Sequence, residues 1–162
     1  MNNIRIEQFK NGQEIMIHQL IKKVYDEFVS IDYSEEGNKF FYEWIQPSRI
    51  AERQRNQINL WVAFMDLKLV GMIEIRDNKF ISLLFVDKDY QGQGIAKRLF
   101  QESLKEIIRR GSKPDKFYVH ASPYSIPIYK KLGFIETDKM QEENGIKYLP
   151  MMLIFNKQFL HS

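Results

Sequence analysis

Apolar and polar residues alternate from Ile4 to Phe9, which predicts a strand. The spacing then changes. Ile17, Leu20, Ile21, Val24 and Phe28 recur as one face of a helix, and Asn11 with Glu14 ahead of them resembles a capping box. A second helix is predicted from about Glu35 to Ile45, with Phe40, Phe41 and Trp44 as its buried side and Pro47 as its stop. Three strand-like runs follow, LWVAFM (60–65), LVGMIEI (69–75) and FISLLFV (80–86). Short turns at Asp66–Lys68 and Asp77-Asn78 join them, as in an antiparallel meander. The third run is almost continuously apolar, so it is expected to be central and covered on both faces.

The next element carries the clearest pattern. Ile95, Ala96, Leu99, Phe100, Ser103, Leu104, Ile107 and Ile108 form one stripe, charged residues form the other, and Gly111 suits the position just past a helix end. The run KFYVHA (116–121) begins thirty residues after the end of the third strand, a spacing that suits a parallel pair joined by a helical crossover. A short helix near 125–132 and two late strands around 134–138 and 147–155 complete the chain, with the turn between them at Glu143-Asn144-Gly145. The predicted fold class is α/β: one mostly antiparallel sheet with one helical crossover in the middle.

With 162 residues the chain suits one domain and one core. It contains no cysteine, which removes disulfides, a thiolate nucleophile and any thiolate metal site, and fits a reducing cytoplasm. The N-terminal stretch lacks the apolar run of a signal peptide, and no segment approaches a membrane span. The net charge is +3, but the basic pairs lie scattered on predicted solvated helix faces, so no nucleic-acid partner is expected.

The stretch YQGQGIAKRL (90–99) places two glycines directly before the amphipathic helix. A helix N-terminus offers unpaired N–H groups, and glycines ahead of it let a ligand approach the backbone, which makes an anion site. Two glycines alone fit a tight strand-to-helix turn equally well. The nucleotide P-loop pattern is absent, and the dinucleotide fingerprint fails because the next strand ends in His120-Ala121-Ser122 with no acidic residue.

A third pattern fits. Gln91-x-x-Gly94-x-Ala96 follows an apolar strand and opens a helix, and Tyr129-Lys130-Lys131-Leu132-Gly133-Phe134 follows the next strand. In this order and spacing the chain resembles the GNAT superfamily of acyl-CoA-dependent N-acetyltransferases over about Leu60 to Phe155. The resemblance implies a sheet of about six to seven strands with a central splay that holds acyl-CoA. It implies one domain over 1–162, with 1–58 as a variable acceptor side and 59–155 as the cofactor-binding core. It implies acetyl-CoA as acyl donor, no metal, an amine as acceptor, and it allows a homodimer. The pyrophosphate would be held by the backbone of Gln91, Gly92, Gln93, Gly94, Ile95 and Ala96, with Lys97 beside them, and the pantetheine arm by Leu84, Phe85 and Val86. Ser122 stands where the family often has a cofactor-binding Asn.

The same resemblance gives Tyr129 the role of general acid toward the leaving thiolate. The base is open between two residues. Glu74 is a carboxylate in an otherwise apolar strand, where its pKa would rise, or simply an outward-facing strand residue. His120 near the end of its strand has a suitable pKa, near 6.5 when unperturbed, or is a hydrogen-bonded structural histidine. His18 and His161 are read as incidental, and three histidines without ligand spacing argue against a metal. Tyr33, Glu35, Glu36, Phe40, Phe41 and Trp44 fall in the acceptor region, where the aromatics also suit a core. The reading is an N-acetyltransferase acting by direct attack on acetyl-CoA. Its rivals are an acyl-CoA sensor without turnover and a generic phosphate binder.

Overall fold

The structure, a computed structural model, describes residues 3–156, so His161 lies outside the described residues. Strand β1 (Ile4–Gln8) leads into helix α1 (Glu14–Phe28), and α2 (Glu35–Trp44) and α3 (Pro47–Arg53) follow. The meander is β2 (Leu60–Met65), β3 (Lys68–Arg76) and β4 (Phe80–Val86). Helix α4 (Ile95–Arg109) crosses over to β5 (Lys116–Ala121), and α5 (Ile126–Leu132), β6 (Ile135–Glu136), β7 (Gln141–Glu143) and β8 (Ile146–Ile154) complete the order.

The strands form one mixed sheet in the order β1-β2-β3-β4-β5-β8-β6, with β7 pairing β8 off this path. Every pair is antiparallel except β4 with β5, which the α4 crossover makes parallel. One apolar layer lies between the sheet and α4 with α5, built on Leu99, Phe100, Leu104, Phe117 and Ile73. A second lies between the sheet and the N-terminal helices, built on Ile17, Ile21, Ile45, Ile50 and Met72. Among the described residues no helix is long and apolar enough to cross a membrane.

Four local expectations are corrected. Asn11 does not cap α1: Gln13 holds the N-cap position without a side-chain cap, because Gly12 turns the chain at φ +102° after Asn11. Pro47 does more than stop α2; it is the first residue of α3, where its missing N–H costs nothing. Phe40 is not buried but 54% exposed, because α2 stands at the rim of a recess instead of lying flat on the sheet. The late region has three strands, two of them short, so the Asn144-Gly145 turn joins β7 to β8, not β6 to β8.

Candidate active site

The site begins with a break in the sheet. Strands β4 and β5 pair only through Phe80 with Tyr118 and Ile81 with Val119. Beyond that point β5 stays paired with β8 as far as Ala121 and Leu149, while β4 runs on to Val86 beside β3. The backbone of Leu84, Phe85 and Val86 therefore has no strand on its β5 side. Their side chains are only half-buried, so the strand buried along its length is β3, not β4 as the apolar run suggested. A bulge explains the divergence. Glu74 pairs with Leu83 but Ile75 pairs with Ile81, leaving Ser82 as an extra residue that bends β4. The Ser82 hydroxyl donates to the Glu74 carbonyl at 3.2 Å.

At the end of β4 the chain is pinned by Asp87. Its carboxylate accepts the Asp89 N–H at 3.0 Å and faces Lys23 and Lys68. Burial would raise its pKa, but the Asp89 N–H and the two lysines outweigh burial and hold the carboxyl below the usual range. The loop then turns through Gly92 and Gly94, both at φ +80°, a region that disfavours any side chain. A Cβ at either glycine would meet no protein atom within 4 Å. Both demands foreseen for these glycines, turn geometry and open approach, are thus present together. Gly94 is the N-cap of α4 and provides no side-chain cap, so the first N–H groups of the helix have no partner within it. Lys97 and Lys131 line the same cleft. Gln91 turns the other way: its amide nitrogen donates to the Val86 carbonyl at 3.0 Å and to the Tyr124 hydroxyl at 2.7 Å.

The phosphate-side cleft joins a second cleft through Val86, Gln91 and Ile128. This second cleft contains Leu84, Phe85, Ser122, His120 and Tyr129. Tyr129 is set by the way α5 ends. The Phe134 N–H donates to the Tyr129 carbonyl at 3.0 Å, the Gly133 N–H to the Lys130 carbonyl at 3.0 Å, and Gly133 sits at φ +101°. The Phe134 ring packs on that of Tyr129 with centroids 5.4 Å apart. This is a Schellman cap with its apolar contact, and it gives the Tyr-x-x-x-Gly-Phe spacing a physical meaning. Burial, with Tyr33 adding, pushes the Tyr129 phenol above its ordinary pKa, so it stays protonated at neutral pH. Ser122 donates to the Ser125 hydroxyl at 3.0 Å.

His120 stacks on Tyr148 at 4.2 Å and meets Phe80 edge-on at 5.0 Å. It lines the second cleft and also a third, aromatic recess beyond it. Burial lowers its pKa below the ordinary value; Glu143 opposes this and Arg76 adds to it. The imidazole is therefore neutral, with an acceptor nitrogen, at pH 7.

Glu74 is placed elsewhere. Its carboxylate accepts from Arg53 Nε at 3.1 Å, Arg53 Nη2 at 3.1 Å and Gln54 Nε2 at 2.6 Å. Arg53 also lies over the Trp44 ring and donates to the Trp44 carbonyl. The side chain of Glu74 is 5% exposed and lines none of the three clefts. It is a clamp between α3 and the bulge, its oxygens accept from Arg53 and Gln54, and a base role would have to be played from outside the three clefts. Glu35 and Glu36 stand in the first turn of α2, outside the recess. Tyr124 and Ser82 were missed; the one signal for Ser82 was its place as the single polar residue in FISLLFV. Among the described residues no three His, Cys, Asp or Glu side chains gather as metal ligands would.

The splayed mixed sheet, the helix behind two left-handed glycines and the protonated tyrosine at the gap are what the resemblance to acyl-CoA-dependent acetyltransferases implies. Residues 29–155 match the family model of the acetyltransferase (GNAT) domain, and the chain belongs to that family. It is 30% identical over 141 residues to the uncharacterized N-acetyltransferase YafP of Escherichia coli (strain K12), covering 87% of each chain. A GCN5-related N-acetyltransferase from Rhodopseudomonas palustris superposes with a TM-score of 0.78 at 19% identity, covering 96% of this chain and 98% of that one. The PaiA N-acetyltransferase from Thermoplasma acidophilum, solved in complex with coenzyme A, gives 0.75 at 20% identity over 96% and 100% of the two chains.

Proposed function

We propose that the protein moves an acetyl group from acetyl-CoA to a primary amine by direct attack within a ternary complex. One observation carries this reading: three clefts follow one another along the splay, each sharing wall residues with the next. The phosphate-side cleft shares Val86, Gln91 and Ile128 with the middle one, and the middle one shares Ser82, Leu83 and His120 with the aromatic recess. A donor entering over Gly92 and Gly94 and an acceptor entering past His120 would meet between Leu84 and Tyr129. We read 1–58 as the acceptor side and 59–155 as the cofactor-binding part of one domain, and place it in the cytoplasm on its cysteine-free composition.

The residues suit the donor. Backbone N–H groups of Gly92 to Ala96 would face the pyrophosphate, with Lys97 and Lys131 adding positive charge. The unpaired edge of β4 would pair with the amides of the pantetheine arm, and an N–H of that edge would polarise the acyl carbonyl. The amine nitrogen then attacks the carbonyl carbon, a C–N bond forms and the C–S bond breaks. His120, neutral at pH 7, takes the proton that the amine loses, and Tyr129 gives one to the departing thiolate.

The test is thiol release. Because the chain has no cysteine, a disulfide reagent sees only free CoA. Acetyl-CoA is incubated with a panel of amines, and CoA appearing in step with an N-acetylated product supports the reading. Tight acetyl-CoA binding with no turnover of any amine would favour the sensor. Competition by ATP but not by CoA would favour the phosphate binder.

A further inference from the structure

The aromatic recess beyond His120 is built for a particular kind of molecule. Its walls include Tyr33, Phe40, Phe41, Trp44 and Phe80, with Arg76 beside them. Phe40 leaves more than half its surface in water although it belongs to a helix with polar residues to spare for that position. Charge narrows the choice. Among the described residues that line the recess there is no Asp or Glu, and Arg76 carries the only formal charge. The Arg76 guanidinium lies 4.7 Å over the Phe80 ring, and its side chain is 51% exposed. Its one acidic contact among the described residues, Asp77 at 4.0 Å, is at the limit of an ion pair and itself open to water, so the planar fork keeps donors for a ligand. Glu143 faces His120 from β7 but does not line the recess.

We infer that the recess takes an acceptor amine that carries an aromatic body and a carboxylate, of the class of aromatic α-amino acids, with Arg76 selecting the carboxylate. The inference rests on the acetyl-transfer reading above. The rings offer faces and edges to an aromatic body, and a planar guanidinium matches a carboxylate in two parallel hydrogen bonds. A polyamine would bring several positive charges to a recess that has no carboxylate and one arginine, an arrangement that rejects it. A quaternary ammonium would need the ring faces, and guanidinium groups already lie over two of them, Arg76 over Phe80 and Arg53 over Trp44. His120 stands where recess and middle cleft meet, so the amino group of such an acceptor would lie beside it.

The experiment compares L-phenylalanine, 2-phenylethylamine, glycine and spermidine at saturating acetyl-CoA, by CoA release. Phenylalanine is expected to have the highest kcat/KM, with phenylethylamine, the same ring without the carboxylate, roughly tenfold lower, as for one lost charged hydrogen-bonding pair. Spermidine is expected to be the poorest. Arg76→Gln should collapse the ratio between phenylalanine and phenylethylamine to near unity. Using the ratio removes any shared effect of Arg76 on His120 or on folding. Spermidine outrunning phenylalanine, or a ratio that Arg76→Gln leaves intact, overturns the inference while acetyl transfer stands. If acetyl-CoA does not bind, both readings fall. If it binds and no amine turns over, Trp44 fluorescence of the CoA-saturated protein decides: stronger binding of phenylalanine than of phenylethylamine, lost in Arg76→Gln, supports the inference, and any other result overturns it.

Discussion

On the proposed function Gly94 has two jobs, which a pair of variants can separate. It sits at φ +80° and ψ +13°, and Gly111 at the far end of the same helix sits at φ +100°. A Cβ at either would meet no protein atom within 4 Å, so Gly94→Ala and Gly111→Ala create backbone strain without a clash. Left-handed backbone costs a residue with a Cβ roughly 1–2 kcal/mol. For a chain of this size that lowers Tm by roughly 2–8 °C. Both variants are expected to lose stability by similar amounts.

They differ in what lies outside. Gly94 lines the phosphate-side cleft, and Gly111 lines none of the clefts described above. An added methyl at Gly94 would hold the pyrophosphate off the N–H groups of the first turn. Hydrogen bonds to charged groups are worth about 1.5–3 kcal/mol, so losing one weakens acetyl-CoA roughly tenfold to a hundredfold. Calorimetric titration with acetyl-CoA beside a melting curve reads both effects. Gly111→Ala should melt earlier and bind normally; Gly94→Ala should melt earlier and bind poorly. Equal acetyl-CoA affinity in the two variants would refute the reasoning and leave Gly94 as a turn residue alone.

Three further outcomes follow from the same geometry. Tyr129→Phe keeps the ring against Phe134 and removes only the hydroxyl; kcat should fall roughly a hundredfold with acetyl-CoA affinity unchanged, and steady-state kinetics with chemistry rate-limiting checks it. Because burial lowers the His120 pKa, the neutral base should persist below pH 6.5, and the rate should decline only on further acidification; His120→Gln should abolish that acid limb, and a limb that stays in place assigns the base elsewhere. Glu74→Gln leaves Arg53 without its charged partner in a site where the two side chains are 5% and 20% exposed, so urea unfolding should show a loss of about 3 kcal/mol. A hundredfold fall in kcat with stability intact would instead restore Glu74 as the base.

Where one element carried its own signal, the sequence reading was close. The α4 stripe and Gly111 gave the helix its ends, and KFYVHA gave β5 its bounds, because burial there alternates residue by residue. The motif Tyr129 to Phe134 was legible as a spacing but not as a cause. Its cause is a helix cap, visible only once the Phe134 N–H meets the Tyr129 carbonyl. What failed involved partners distant in sequence. Glu74 in an apolar strand suggested a base, and nothing in the residues around it announces Arg53, which lies 21 positions earlier on a helix for which the sequence reading had no element.

The apolar run FISLLFV is a central strand as expected, but its cover on both faces fails at Leu84, Phe85 and Val86, for a reason that bears on the site itself. Continuous hydrophobicity is the mark of a strand covered on both faces, and β4 has that composition without that burial. A strand left half-open to water at Leu84, Phe85 and Val86 would ordinarily be a liability, since its unpaired edge invites another chain. Here the Ser82 bulge bends the strand away from β5, and the loop held by Asp87 follows directly at the end of the strand. The exposed edge is therefore short and recessed, and on the proposed reading a narrow extended molecule with amides of its own would suit it. The hydrophobic residues that look surplus to β4 as a strand are the ones an apolar arm would cover. On this argument, filling the gap from the protein's own side, with Ser122→Phe, should leave the sheet intact. It should abolish acetyl-CoA binding, and calorimetric titration that found normal affinity would place the donor elsewhere.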